Sequence, residues 1–221
     1  MGLSEINFAV LVASLIVAST PLVLAALGEL IVEKSGVLNL GVEGMMIIGA
    51  VAGFIVGVET GSAYIGMIAA AVAGALLSLL FAFIILIMQA NQVASGLALT
   101  IFGLGIAALM GHPYTGIKSP QISTISIPIL NEIPILGTMF FQHDLIVYLS
   151  LFSVLGIWYF LTRTRAGLIL RSVGEDHDVA HSLGYRVITI RFLAIVFGGA
   201  MAGVGGGYLS LVRVPQWTEG M

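Results

Sequence analysis

TGSAYIGMIAAAVAGALLSLLFAFIILIMQANQVASGLALTIFGLGIAALMGHPYTGI, residues 60–117, contains no Asp, Glu, Lys or Arg. A helix crosses the hydrocarbon core of a bilayer in roughly 20 apolar residues, so this stretch is long enough for two crossings. Ala, Gly and Leu are frequent and strand-like alternation is absent. Helices rather than a barrel must therefore satisfy the backbone where water does not reach. The rest of the chain follows suit, with 59% hydrophobic and 9% charged residues and a mean hydropathy of +1.12. A soluble domain carries roughly 25% charged residues; this chain has too few to solvate a globular surface. The expected fold class is all-α, a polytopic transmembrane helical bundle.

Working outward, apolar spans predict crossings at 8–27, 41–58, 63–88, 93–111, 145–161 and 190–211. The first 27 residues lack Lys and Arg, whereas a secretory signal needs a positive start; the segment reads as a retained first helix. No basic run points to nucleic acid, and the absence of cysteine excludes disulfides and thiolate metal sites.

Three connections carry the function. GELIVEKSGVLNLGVEG (28–44) places Glu29, Glu33, Lys34, Asn39 and Glu43 among four glycines. Glycine weakens a helix by about 1 kcal/mol relative to alanine, so the segment is expected to be a break at membrane depth. Irregular backbone is tolerated there only where it is buried in protein or lines an aqueous cavity. Residues 111–144 contain four prolines, and their apolar pieces ISIPIL and IPILGTMFF suggest an interfacial segment. Residues 162–191 hold Arg163, Arg165, Arg171, Arg186 and Arg191, five of the chain's eight Lys and Arg. By the positive-inside rule this loop is cytoplasmic. Counting back places 111–144 outside, the break toward the inside and the N-terminus outside; Arg213 then falls outside, against the charge bias.

Within the basic loop, RSVGEDHDVAHSLGYRV (171–187) predicts a short helix over 174–184. Gly174 would precede an acidic first turn of Glu175, Asp176 and Asp178, which the helix dipole favours. Gly184 would supply a left-handed stop. Val179 and Leu183, at i and i+4 with Ala180 beside them, form a small apolar stripe. A helix this short is marginal alone in water and is expected to dock on a partner; a plain solvated connection is the alternative. His177 and His181 also have the i, i+4 spacing of a helical zinc site. Asp178, however, stands where the HExxH pattern has its general base, and no third ligand follows.

Candidate pathway residues are Asn39 and Glu43, at the break, and Asn91 and Gln92, in a tight turn. Polar groups within membrane segments are costly and face the bundle interior; an interfacial position for Glu43 and turn capping by Asn91 and Gln92 are the competing readings. GGAMAGVGGGY (198–208) has glycines at helical spacing, which permits close helix packing or a hinge. Trp158, Tyr159 and Trp217 fit interfacial anchoring.

SGVLNLGVEGMMIIGA (35–50), QANQVASGLALTIFGLG (89–105) and TRTRAGLILRSVGEDHDVAHSLGYRV (162–187) together resemble membrane permease subunits of bacterial ABC importers of the branched-chain amino acid, ribose and nucleoside group, in the nucleoside and simple-sugar form. The resemblance runs along nearly the whole chain. It implies one permease domain over 1–221, with a coupling loop at 162–191 inside it, in a bacterial cytoplasmic (inner) membrane. Implied partners are ABC ATPase subunits, a second and different permease, an extracytoplasmic binding protein or lipoprotein, and the bilayer. Gly174, Glu175, Asp176, His177, Ala180 and Gly184 would couple to the ATPase, which would bind ATP and Mg. This chain would carry no cofactor, metal or catalytic residue, and no GxxxxGK[ST] phosphate-binding sequence occurs in it. Family members continue through several more helices, so the sequence is expected to be a C-terminally truncated portion. An intramembrane metalloprotease built on the HDVAH segment and an ATP-independent channel or carrier remain as alternative functions.

Overall fold

A computed structural model describes residues 8–122, 125–126 and 142–217. Six helices in it are long and apolar enough to cross a membrane. They are α1 (Phe8–Lys34), α2 (Val42–Thr60), α3 (Ala63–Ala82, extended by a π-helical turn, Phe83–Ile87), α4 (Gln92–Gly111), α5 (Leu145–Arg163) and α8 (Val187–Tyr208, extended by a second π-helical turn, Leu209–Arg213). Two short helices, α6 (Arg165–Glu175) and α7 (His177–Ser182), occupy the basic connection. A two-stranded antiparallel ribbon pairs β1 (Ile125–Ser126) with β2 (Gln142–His143), Ile125 opposite His143. The remainder of ISIPIL and all of IPILGTMFF lie outside the described residues.

Helix α8 is the centre, packed against α1, α2 and α3. Its glycines make this possible. A methyl group on Gly203 would strike the carbonyl oxygen of Ala70 and sit 3.1 Å from the Cα of Gly74, while one on Gly49 of α2 would strike the backbone of Gly203 itself. Helices brought this close are held by dispersion and by matched small residues, because lipid supplies no hydrophobic drive between them. One polar clasp joins in: the buried Ser210 donates its hydroxyl proton to the Ala50 carbonyl at 2.8 Å. A buried cluster of Val32, Val37, Met45, Phe81, Leu99 and Ile195 joins α1, α2, α3, α4 and α8 around the break.

Outward faces are apolar as well. Ile101 and Leu109 on α4, and Phe152, Leu155 and Trp158 on α5, are all exposed. On a soluble molecule so large an apolar surface would aggregate; on a bilayer-spanning bundle it meets lipid or another subunit.

Several expectations need correcting. Helix α1 does not stop at Leu27 but continues to Lys34. Gly28 is not a breaker there: a side chain at this position would meet the Gly198 carbonyl oxygen at 2.8 Å, so it serves close packing. The break narrows to residues 35–41. The single helix expected over 174–184 is two helices. Gly174 lies inside α6, not before a first turn, and Glu175 ends that helix. Asp176 is extended (φ −149°, ψ 105°), and its side chain accepts the N–H groups of Asp178 and Val179, capping α7. Trp217 is buried rather than interfacial, stacked against Gly111 and tilted on Phe54 at a centroid distance of 6.2 Å.

Candidate functional site

The break is a hydrogen-bonded crossing point rather than a loose loop. Glu29 of α1 lies one and a half turns before the helix end, and its Oε1 accepts the Asn39 N–H at 3.0 Å. Asn39 is buried; its Oδ1 accepts the Gly41 N–H at 3.0 Å and its Nδ2 approaches the Met45 sulfur at 3.6 Å. This side chain closes its own backbone into the turn that starts α2. From α4, Gln92 Oε1 accepts the Leu38 N–H at 2.8 Å, and the Thr100 hydroxyl donates to the Leu40 carbonyl at 3.2 Å. Two side chains of α4 and one of α1 thus hold the unwound backbone, whose groups would otherwise be unsatisfied at a cost of several kcal/mol each in hydrocarbon.

Among the described residues, Glu29 Oε2 is buried with no hydrogen-bond partner, the kind of group that a water or a solute hydroxyl would satisfy. The sequence placed Glu29 in the break without a role; the signal that would have found it is a carboxylate ten residues before an Asn in an apolar context. Asn39 and Gln92 are brought together here. Glu43 is exposed in the first turn of α2, where the helix dipole favours a carboxylate. Asn91 is also exposed and caps α4, its Oδ1 accepting the Ala94 N–H at 3.1 Å. An apolar cleft of about 600 Å³ between α1, α5, α6 and α8, walled by Ile31, Ile157, Phe160, Leu170, Leu193 and Phe197, is almost wholly hydrocarbon. It offers little to a polar solute.

The basic loop packs beneath the break. Gly174 of α6 lies against the carbonyl oxygen of Lys34 and the N–H of Gly36. Beyond it, α7 shows Val179 and Leu183 at 54% and 70% exposure, a two-residue apolar stripe open to a partner. Gly184 has φ +88°, the left-handed stop expected, with Gly184 N–H on the His181 carbonyl at 2.9 Å and Tyr185 N–H on that of Ala180 at 3.2 Å. Ala180 is turned inward and buried, so its side chain belongs to the fold rather than to the open face. His177 and His181 are exposed, and His177 Nε2 stands 3.6 Å from Asp178 Oδ1. Among the described residues no three His, Cys, Asp or Glu side chains group as a metal site.

Residues 11–221 match the family described as branched-chain amino acid transport system / permease component. The chain belongs to this permease family. It is 39% identical over 92% of its length to a putative glucose ABC transporter permease of Haloferax volcanii, covering 63% of that protein. It is 36% identical over 93% of its length to a guanosine ABC transporter permease of Bacillus subtilis, and 33% identical over 89% to a nucleoside ABC transporter permease of Lactococcus lactis, covering 68% and 66% of them. The chain thus spans about two thirds of the length of these relatives. No solved structure matches it. Membership in this permease family and six apolar helices make this a multi-pass membrane protein.

Proposed function

We propose that this permease is a membrane subunit of an ATP-driven ABC importer for nucleosides or related polar solutes such as simple sugars, working in the cytoplasmic membrane of a bacterium. The observation that carries the reading is α7: a capped helix, set off from α6 by Asp176, at the most basic end of the bundle, with Val179 and the following Leu183 uncovered. ATP and Mg belong to ATPase subunits docked there, closure of which would turn the membrane helices. Glu175, Asp176, His177 and Gly184 frame the docking face, while Gly174 and Ala180 anchor it to the bundle. A second, different permease would complete the path, and an extracytoplasmic binding protein or lipoprotein would deliver the solute. The names of the relatives support the solute class.

Asn39, Gln92 and the free oxygen of Glu29 are the polar groups offered toward the pathway at the break, with Glu43 and Asn91 at its exposed margin. Leu183→Glu places a charge on the docking face without touching the bundle. Expected is loss of ATPase co-purification and of guanosine or glucose uptake, with the permease still inserted at normal levels. Unchanged ATPase recovery and uptake in that variant would reject the docking role.

A further inference from the structure

Three elements meet at the turn that ends α1. Gly36 sits there at φ +82°, a backbone conformation that glycine adopts without a steric penalty. The last turn of α6 lies directly on it. A side chain on Gly174 would run into the Lys34 carbonyl oxygen and stand 3.0 Å from the Gly36 nitrogen, and one on Gly36 would stand 3.1 Å from the Gly174 Cα. From α8, Arg191 donates its Nε–H to the Ser35 carbonyl at 3.0 Å, and its Nη2 is the other atom crowding Gly36. Ser35 is fully buried, with its hydroxyl donating to the Val32 carbonyl at 2.7 Å. Three residues beyond Gly36 lies Asn39.

The contact between Gly174 and Gly36 is backbone on backbone. No side-chain rotamer can absorb a displacement across it, so packed elements of this kind transmit strain instead of damping it. Only the extended Asp176 separates α6 from α7. A push on α7 therefore reaches the Lys34–Gly36 turn through one short, rigid helix. The Arg191 hydrogen bond ties the same turn to the central helix of the bundle.

We infer that the Gly174–Gly36 contact and the Arg191–Ser35 hydrogen bond form the link through which movement of α7 repositions the 35–41 segment, with Arg191 as a positioning residue. The inference rests on the reading of the chain as an ATP-driven permease. Static packing would instead give Arg191 and Gly174 an effect on stability alone.

The chain has no cysteine, so Leu38→Cys, at an exposed position of the segment, reports its surroundings. The rate of maleimide labelling is read in the assembled transporter, nucleotide-free and trapped with ATP and vanadate. The two rates should differ by about threefold or more, as a shift between two populated states gives. Adding Arg191→Ala should bring them together while the ATPase still co-purifies and hydrolyses ATP, and Gly174→Ala should bring them together as well; Arg191→Lys should restore part of the difference. Should Arg191→Ala not be recovered from membranes, Arg191→Gln and Gly174→Ala carry the same comparison. A full nucleotide-dependent difference in both the arginine and the glycine variants, or none in the parent, overturns the link. Failure of the ATPase to co-purify with the parent overturns the ATP-driven reading itself, and the link with it.

Discussion

Asp144 and Tyr208 show how a polar pair is kept at the end of the bundle away from the basic loop. Both are buried, and the Tyr208 hydroxyl donates to Asp144 Oδ2 at 2.7 Å. The other oxygen, Oδ1, accepts the N–H groups of Ile146 and Val147 at 2.9 and 3.1 Å, capping α5. One carboxylate thus fixes the start of α5 and pins it to the end of α8. Tyr208→Phe should destabilise the protein by about 1–3 kcal/mol, the cost of removing a partner from a buried polar group. Asp144→Ala should cost about 1 kcal/mol more, because the cap is lost too. The double variant should fall short of the sum, since the two residues share one interaction. Unfolding midpoints in a common detergent measure all three; strict additivity would mean that the pair does not interact. At the break, Glu29→Gln keeps an oxygen for the Asn39 N–H but replaces the second acceptor oxygen with an N–H donor. If Oε2 meets solute, uptake should fall about tenfold, since leaving a buried donor or acceptor without its partner costs about 1–3 kcal/mol. ATP hydrolysis should remain. Unchanged guanosine and glucose uptake would remove Glu29 from the pathway.

At the scale of elements, glycine sets both the packing and the limits of sequence reading. Gly203 has neighbouring backbone on two sides, whereas Gly105 of α4 and Gly156 of α5 have open space where a side chain would go. Gly203→Val should prevent accumulation of folded protein, overpacking in such a seam costing about 1–3 kcal/mol or more. Gly105→Ala and Gly156→Ala should be neutral or stabilising, by up to about 1 kcal/mol of helix propensity. Expression level and thermal midpoint distinguish them, and equal effects at all three sites would contradict the central position of α8. The same ambivalence explains what was legible. Long apolar runs located all six spanning helices, because a bilayer demands both length and composition. Gly28 and Glu29, though, read as a break when they are helical: one glycine can end a helix or let another helix approach, and only the neighbour decides which. Asp176 was likewise placed within a helix, whereas its side chain caps the next one. The Asn39 N–H finds its partner Glu29 ten residues before it, and the Leu38 N–H finds Gln92 54 residues on; the second pairing has no local signature. The buried fate of Trp217 depends on Gly111, a distant contact of the same kind.

The molecule as a whole has two unlike ends. The break, the α3–α4 turn and the basic loop share one, since Gly174 touches Lys34 and Gly36, and Gln92 bonds Leu38. Lys34, Arg163, Arg165, Arg171, Arg186 and Arg191 gather there, six of the eight Lys and Arg. The other end holds the α2–α3 turn, the start of α5 and the end of α8, joined by Tyr114 O–H to Glu59 at 2.8 Å and by the Ser119 hydroxyl to the Leu211 carbonyl at 3.0 Å. Lys118 and Arg213 are the only Lys and Arg among its described residues. A charge asymmetry of this size sets orientation during insertion, and it predicts that the break and α7 face the cytoplasm. The cysteine-free chain permits a direct reading. Val179→Cys on α7 should react with a membrane-impermeant maleimide in inside-out vesicles and stay protected in sealed right-side-out ones, and Glu59→Cys should do the reverse. Because the packing fixes both ends relative to each other, the two sites must switch together. Labelling of both from one side would require an even number of crossings between residues 59 and 179, instead of the three that α3, α4 and α5 make, as if one of them failed to span; that pattern would break the bundle described here, whereas exchange of the two sides would only invert it.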